Sequence, residues 1–193
     1  MVDWLRIVSV IVACLLPSLH ACAADLDYLA LVNRLQNPWK QVDRASKSID
    51  DHRKKLISES AKGQRNAKRA RDDDDMLRII SNELGTLDTG LRVLAYTFNL
   101  MNSFPTAATN SSANFYIVEI CNSIGFGPNS DQYRDGPEAW HDAANETPSL
   151  AAAIRNAAAA YQVAGQTGIE ICVDVHRHVG ILFKSEEKSK NRH

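Results

Sequence analysis

The sequence predicts an all-α fold: a long antiparallel helical hairpin packed with shorter C-terminal helices in a bundle-like arrangement, stapled by one disulfide. Three observations carry this reading. Leu77, Ile80, Leu84, Leu87, Leu91, Leu94, Phe98 and Met101 step three, four, three, four without a break, a coiled-coil-like heptad stripe that needs a helical neighbour. A second seam, Trp39, Val42, Ser46, Ile49, Arg53 and Leu56, precedes it at the same spacing and is the natural partner. Outside the N-terminal leader the chain holds two cysteines, Cys121 and Cys172.

The leader comes first. Arg6 precedes an apolar run over residues 7–16, Pro17 breaks it, and Ala21-Cys22-Ala23 sets small residues around a cleavage point. This is the grammar of a secretory signal peptide over residues 1–24, cut after Ala23 or Ala24. The run is shorter than the roughly 20 apolar residues of a membrane helix, and no comparable segment follows, so no stable transmembrane segment is expected in the mature chain. A retained anchor is one other reading. A lipoprotein signal with Cys22 as the lipid carrier is another, but His20 stands where a small or apolar residue is usual.

Setting 24 of the 193 residues aside leaves about 169, enough for one core, which places a single helical domain over residues 25–187 and a polar tail over 188–193. Of 22 Lys and Arg and 23 Asp and Glu, Arg6 and Asp3 leave with the leader, so 21 cations face 22 anions. That balance disfavours a nucleic-acid partner. Export to a periplasmic or secreted location removes Cys14 and Cys22 and delivers two thiols to an oxidising compartment, where they pair.

Along the mature chain, Leu26, Leu29, Val32 and Leu35 give a first helix over residues 25–36. Asn37-Pro38 supplies an N-cap and a first-turn proline for a second helix, which opens the hairpin over residues 37–104. Between its arms lies Lys68-Arg69-Ala70-Arg71-Asp72-Asp73-Asp74-Asp75, where cations ending one helix and anions starting the next would complement both dipoles. Gly63 is the other candidate for the turn. Gly85 and Gly90 lie off the stripe and either allow a close approach or loosen the middle.

The C-terminal helices occupy residues 110–187. Ala113, Ile117, Ile120, Cys121 and Ile124 share a face closed by Gly125, and residues 125–136 form the longest loop. Pro137 starts a short helix through Trp140. Thr147-Pro148 starts another, with Leu150, Ile154, Ala157, Tyr161 and Ala164 inward, Gly165 as its stop and Gln166-Thr167-Gly168 as a connector. The last element, over residues 169–187, reads as a helix burying Ile171, Cys172, Val175, Val179, Leu182 and Phe183; its β-branched residues suit a strand, but a lone strand leaves its backbone groups unpaired.

Chemistry concentrates in Cys172-Val-Asp174-Val-His176-Arg-His178, where two i,i+4 pairs place ligand-type side chains on different faces. A metal held by His176 and His178 would need further ligands from elsewhere, with His52, Met101, His141 and Asp142 as nominal candidates. The plainer reading has one histidine at the core edge and one on the surface. Four adjacent Asp residues on a helix point about 100° apart and cannot converge on one cation. Glu138, His141 and Asp142 could form an acid and base pair, but no Gly-x-Ser-x-Gly, His-Glu-x-x-His or phosphate loop supports an enzyme, and Trp140 reads as a packing anchor. The absence of Cys-x-x-Cys-His excludes covalent haem, and no cofactor is implied. Asn110-Ser-Ser112 and Asn145-Glu-Thr147 match the glycosylation acceptor pattern and also suit helix starts.

The expected function is therefore that of an exported, non-enzymatic helical protein acting through protein-protein contacts or self-association, with unmatched area on the 77–101 stripe as the contact surface. The alternative is a small-ligand or metal-binding bundle using His176 and His178 or an interhelical cavity. A hydrolase built around His141 is the third.

Overall fold

The structure is a computed structural model that describes residues 26–190 apart from 105, 108, 129, 131, 132 and 134–137. The expected signal peptide over residues 1–24 and the end of the expected tail lie outside the described residues. Among the described residues five helices follow in order: α1 (Tyr28–Ala61), α2 (Ala67–Asn102), α3 (Ser111–Ser123), α4 (Glu138–Glu146) and α5 (Ala151–Lys190). No strand occurs among the described residues. α1 and α2 form the antiparallel hairpin, α5 lies along α1 and also touches α2, and the short α3 and α4 pack against α5.

Asp27 caps α1, accepting from the Ala30 N–H at 2.9 Å, and the helix then runs 34 residues with Pro38 inside it. The expected break at Asn37-Pro38 is absent. Leu31, Leu35, Pro38, Val42, Ala45, Ile49 and Leu56 are all buried and keep one heptad seam through the proline, so tertiary packing outweighs the local preference for a boundary. Ala45 takes the inward place assigned to Ser46, and Leu29 points outward while Tyr28 and Leu31 point in.

Gly63 makes the hairpin turn, its φ of +69° lying in the left-handed region that glycine tolerates. Asn66 then caps α2 by accepting from the N–H groups of Lys68 and Arg69. The basic and acidic run therefore sits wholly inside α2 rather than across a helix boundary. Three of its carboxylates go to three arginines: Asp73 to Arg65, Asp74 to Arg53 at 2.9 Å and Asp75 to Arg78 at 3.2 Å. The 77–101 stripe is buried throughout, from Leu77 at 0 % to Met101 at 9 % exposed, so the bundle itself covers it.

α3 begins at Asn110, whose side chain accepts from the Ala113 N–H. It ends at Gly125 (φ +79°), where Phe126 N–H reaches the Cys121 carbonyl at 2.9 Å. Asn145, by contrast, lies in the last turn of α4, and α5 starts after Thr147 and Pro148. α5 shows that the final element is helical, and it passes through Gly165 and Gly168 without the expected stop or connector. Among the described residues, no helix is long and apolar enough to cross a membrane.

Candidate functional site

The sulfurs of Cys121 on α3 and Cys172 on α5 lie 2.11 Å apart with their Cα atoms at 5.8 Å, the geometry of a disulfide. Both cysteines are fully buried, and the bridge closes a separation of 51 residues. It holds together the two walls of a hollow of about 380 Å³, lined by Asn122, one residue past Cys121, and His176, one turn past Cys172. Gly125, Gly127, Pro128 and Ser130 of the following loop complete it. The Nε2 atom of His176 is buried and has no hydrogen-bond partner among the described residues. An imidazole nitrogen so placed can accept from or donate to a small polar group entering the hollow.

His178 does not share this site. It is 6 % exposed, inside the bundle, and it has an interaction of its own. Sequence reading thus places one histidine correctly at the core edge, but the second is buried rather than on the surface. The other nominal ligands are dispersed: Met101 is in the core, His52 Nδ1 bonds the Ser48 carbonyl at 2.8 Å on α1, and His141 and Asp142 lie on α4. Among the described residues, no three His, Cys, Asp or Glu side chains gather to hold a metal ion.

Glu138, His141 and Asp142 are all exposed on α4, and His141 borders none of the hollows described. Trp140 is the anchor of that helix, 4 % exposed and packed on Tyr161 with ring centroids 5.2 Å apart. The row continues through Tyr161 to Tyr133 (5.4 Å) and Tyr133 to Phe126 (5.1 Å). Two of these rings rest on glycines of α5: Tyr133 on Gly165 and Phe126 on Gly168, each so close that a Cβ could not fit. Phe126 also covers Gly90 of α2, at ordinary contact distance. Burial pushes the Tyr133 hydroxyl above its usual pKa, and the charge of Glu83 adds to the effect. Phe126 and Tyr133 are thereby seated on the bundle, a role the sequence offers only as two glycines four and seven residues beyond Tyr161.

A second hollow, about 510 Å³, lies beside Trp39 on the outside of the hairpin and is lined by Gln36, Trp39, Lys40, Asp43 and Arg92. Asp88 accepts from the Trp39 indole at 2.6 Å and from Arg92 Nε at 2.7 Å, while the Arg92 guanidinium lies 5.1 Å from the Trp39 ring. The hydrogen bond to Asp88, and then its charge, hold Arg92 above its ordinary pKa. Trp39, Asp88 and Arg92 are thus paired with one another across the two helices, and this trio reads as a clamp between α1 and α2.

No family model, no curated protein and no solved structure matches this chain.

Proposed function

We propose that the protein is exported to a periplasmic or secreted location and works there through contacts with other proteins or a second copy, without catalysing a reaction. The observation that carries this reading is a second apolar row on α2, facing away from the buried stripe. Val93, Tyr96 and Leu100 are spaced three and four apart and are 37 %, 70 % and 43 % exposed. This row replaces the 77–101 stripe as the motive, because that stripe is covered inside the bundle. The export half of the proposal rests on the leader grammar of residues 1–24. A photo-crosslinking residue at position 96, with the same residue at Ile57 as control, tests the contact. A specific adduct from position 96 supports it, whereas equal or no adducts from both positions, together with a monomer by light scattering, count against it.

A second reading is favoured by His176 Nε2, without a hydrogen-bond partner among the described residues, at the hollow beside the disulfide. In this reading a small hydrogen-bonding ligand, or a metal ion recruiting groups of its own, sits against His176. Zn²⁺ added to the purified protein and to His176→Ala and His178→Ala variants, followed through the histidine ring resonances, separates the cases. A shift confined to His176 favours the hollow; no shift at either ring removes the metal form.

A further inference from the structure

One end of the bundle is chemically unlike the other. The start of α1, the end of α2, the start of α3 and the last turns of α5 meet there. Tyr28 stacks on Phe98 at 6.1 Å and donates to Asn114 Oδ1 at 2.7 Å, and Phe115 meets Phe183 edge-on at 6.4 Å. Around this end Leu29, Phe104, Phe115, Tyr116, Ile181 and Phe183 are each between 41 % and 60 % exposed. The opposite end, at the turn Lys62-Gly63-Gln64-Arg65-Asn66, is polar, and Ile57 is the large apolar side chain exposed near it.

Two features of the chain converge on the apolar end. α5 continues eight residues past the buried Leu182, about 12 Å further along the helix axis. In sequence, residues 184–193 hold Lys184, Lys188, Lys190 and Arg192 against Glu186 and Glu187, a net positive tail. The chain also enters the bundle at this end. In the retained-anchor reading of residues 1–24, the apolar run over residues 7–16 lies ten residues before Leu26, a distance an extended chain covers in roughly 35 Å.

We propose that this end of the bundle docks on an anionic lipid surface. A mixture of Phe, Tyr and aliphatic side chains splayed over several helix ends, flanked by a basic tail, is the composition that seats at the headgroup boundary. The aromatic rings enter the interface, and the cations gain from a negative surface potential that fades within a Debye length. A groove for one protein helix would instead line its apolar residues along one side. Docking is peripheral and adds to any hold that residues 7–16 exert, so bulk attachment alone does not report on it.

The test uses the full chain with Cys14→Ser and Cys22→Ser, an environment-sensitive fluorophore on Phe104→Cys, and the same label on Ile57→Cys, mixed with vesicles of phosphatidylcholine containing phosphatidylglycerol or of phosphatidylcholine alone. The expected result is a blue shift of the position 104 label with anionic vesicles, reversed by high salt and lowered tenfold or more in apparent affinity by Phe115→Ser with Phe183→Ser, while the position 57 label stays unchanged. Sedimentation with vesicles while both labels remain in water overturns the proposal, leaving residues 7–16 as the attachment. A blue shift at 104 without vesicles, rising with protein concentration, overturns it in favour of a second copy.

Discussion

The ring of Phe126 lies over Gly168 so closely that a Cβ added to the glycine would sit 2.8 Å from it, with Tyr133 pressed still more tightly on Gly165. Both rings are at most 1 % exposed and cannot swing into solvent without opening the core. Gly165→Ala and Gly168→Ala should therefore each destabilise by about 1–3 kcal/mol, the usual cost of overpacking, despite better helix propensity. Gly85→Ala, where nothing lies within 4 Å, should stabilise by about 1 kcal/mol. Urea midpoints of the three variants check this, and equal shifts at 85 and 168 would contradict the docking.

The Cys121–Cys172 bridge closes a large loop that contains the 125–136 segment and α4. In the chain-entropy model such a closure contributes roughly 3–4 kcal/mol by restricting the unfolded chain. Reduction, or Cys121→Ala with Cys172→Ala, should lower stability by about that amount and should loosen the hollow beside His176 first. Thiol titration of the folded, oxidised protein should find neither cysteine free. Hydrogen exchange should speed up most in α3 and in α5 around position 172.

What the sequence reveals follows from how local each constraint is. The 77–101 stripe is legible because one helix, at one period, is buried on one face, and the pairing of Cys121 with Cys172 because the two thiols beyond residues 1–24 leave a single partner each. Pro38, Gly165 and Gly168 mislead for one shared reason: each carries a strong local meaning, break or stop, that a distant partner overrides. Leu35 and Val42 hold the helix through Pro38, and Phe126 and Tyr133 need the two glycines as seats. The acidic run misleads differently, since Arg53 and Arg65 draw Asp74 and Asp73 into α2. At the candidate site His176 is legible as a residue type, while Asn122 and the 125–130 loop arrive through the tertiary fold.

The Tyr28 hydroxyl offers a pH signature. Burial pushes its pKa from 10.0 to about 12 while it donates to Asn114. The folded value lies above the unfolded one, so between about pH 10 and 12 the folded chain keeps a proton that the unfolded chain has lost. Stability from this group is whole below pH 10 and falls as pH rises towards 12, by on the order of 2 kcal/mol. Absorbance titration should show Tyr28 and Tyr133 ionising late, above the ordinary tyrosine range. Tyr28→Phe should remove one late transition and cost about 1 kcal/mol at neutral pH, because the buried hydrogen bond from Tyr28 to Asn114 is lost.

Pro38 stands inside α1, where it cannot donate to the Arg34 carbonyl one turn earlier. An interior proline costs a helix about 3 kcal/mol relative to Ala, but the buried ring also fills a place in the seam between Leu35 and Val42. Truncation to Ala forfeits part of that burial, on the order of 1–2 kcal/mol for the methylenes removed. The restored hydrogen bond and propensity outweigh this loss, so Pro38→Ala should raise stability by about 1 kcal/mol. Pro38→Gly keeps the N–H but gives up the propensity and should fall below the parent protein. If Pro38→Ala lowers the urea midpoint instead, the ring's packing exceeds its backbone cost, and the proline is then a required element of the α1 seam.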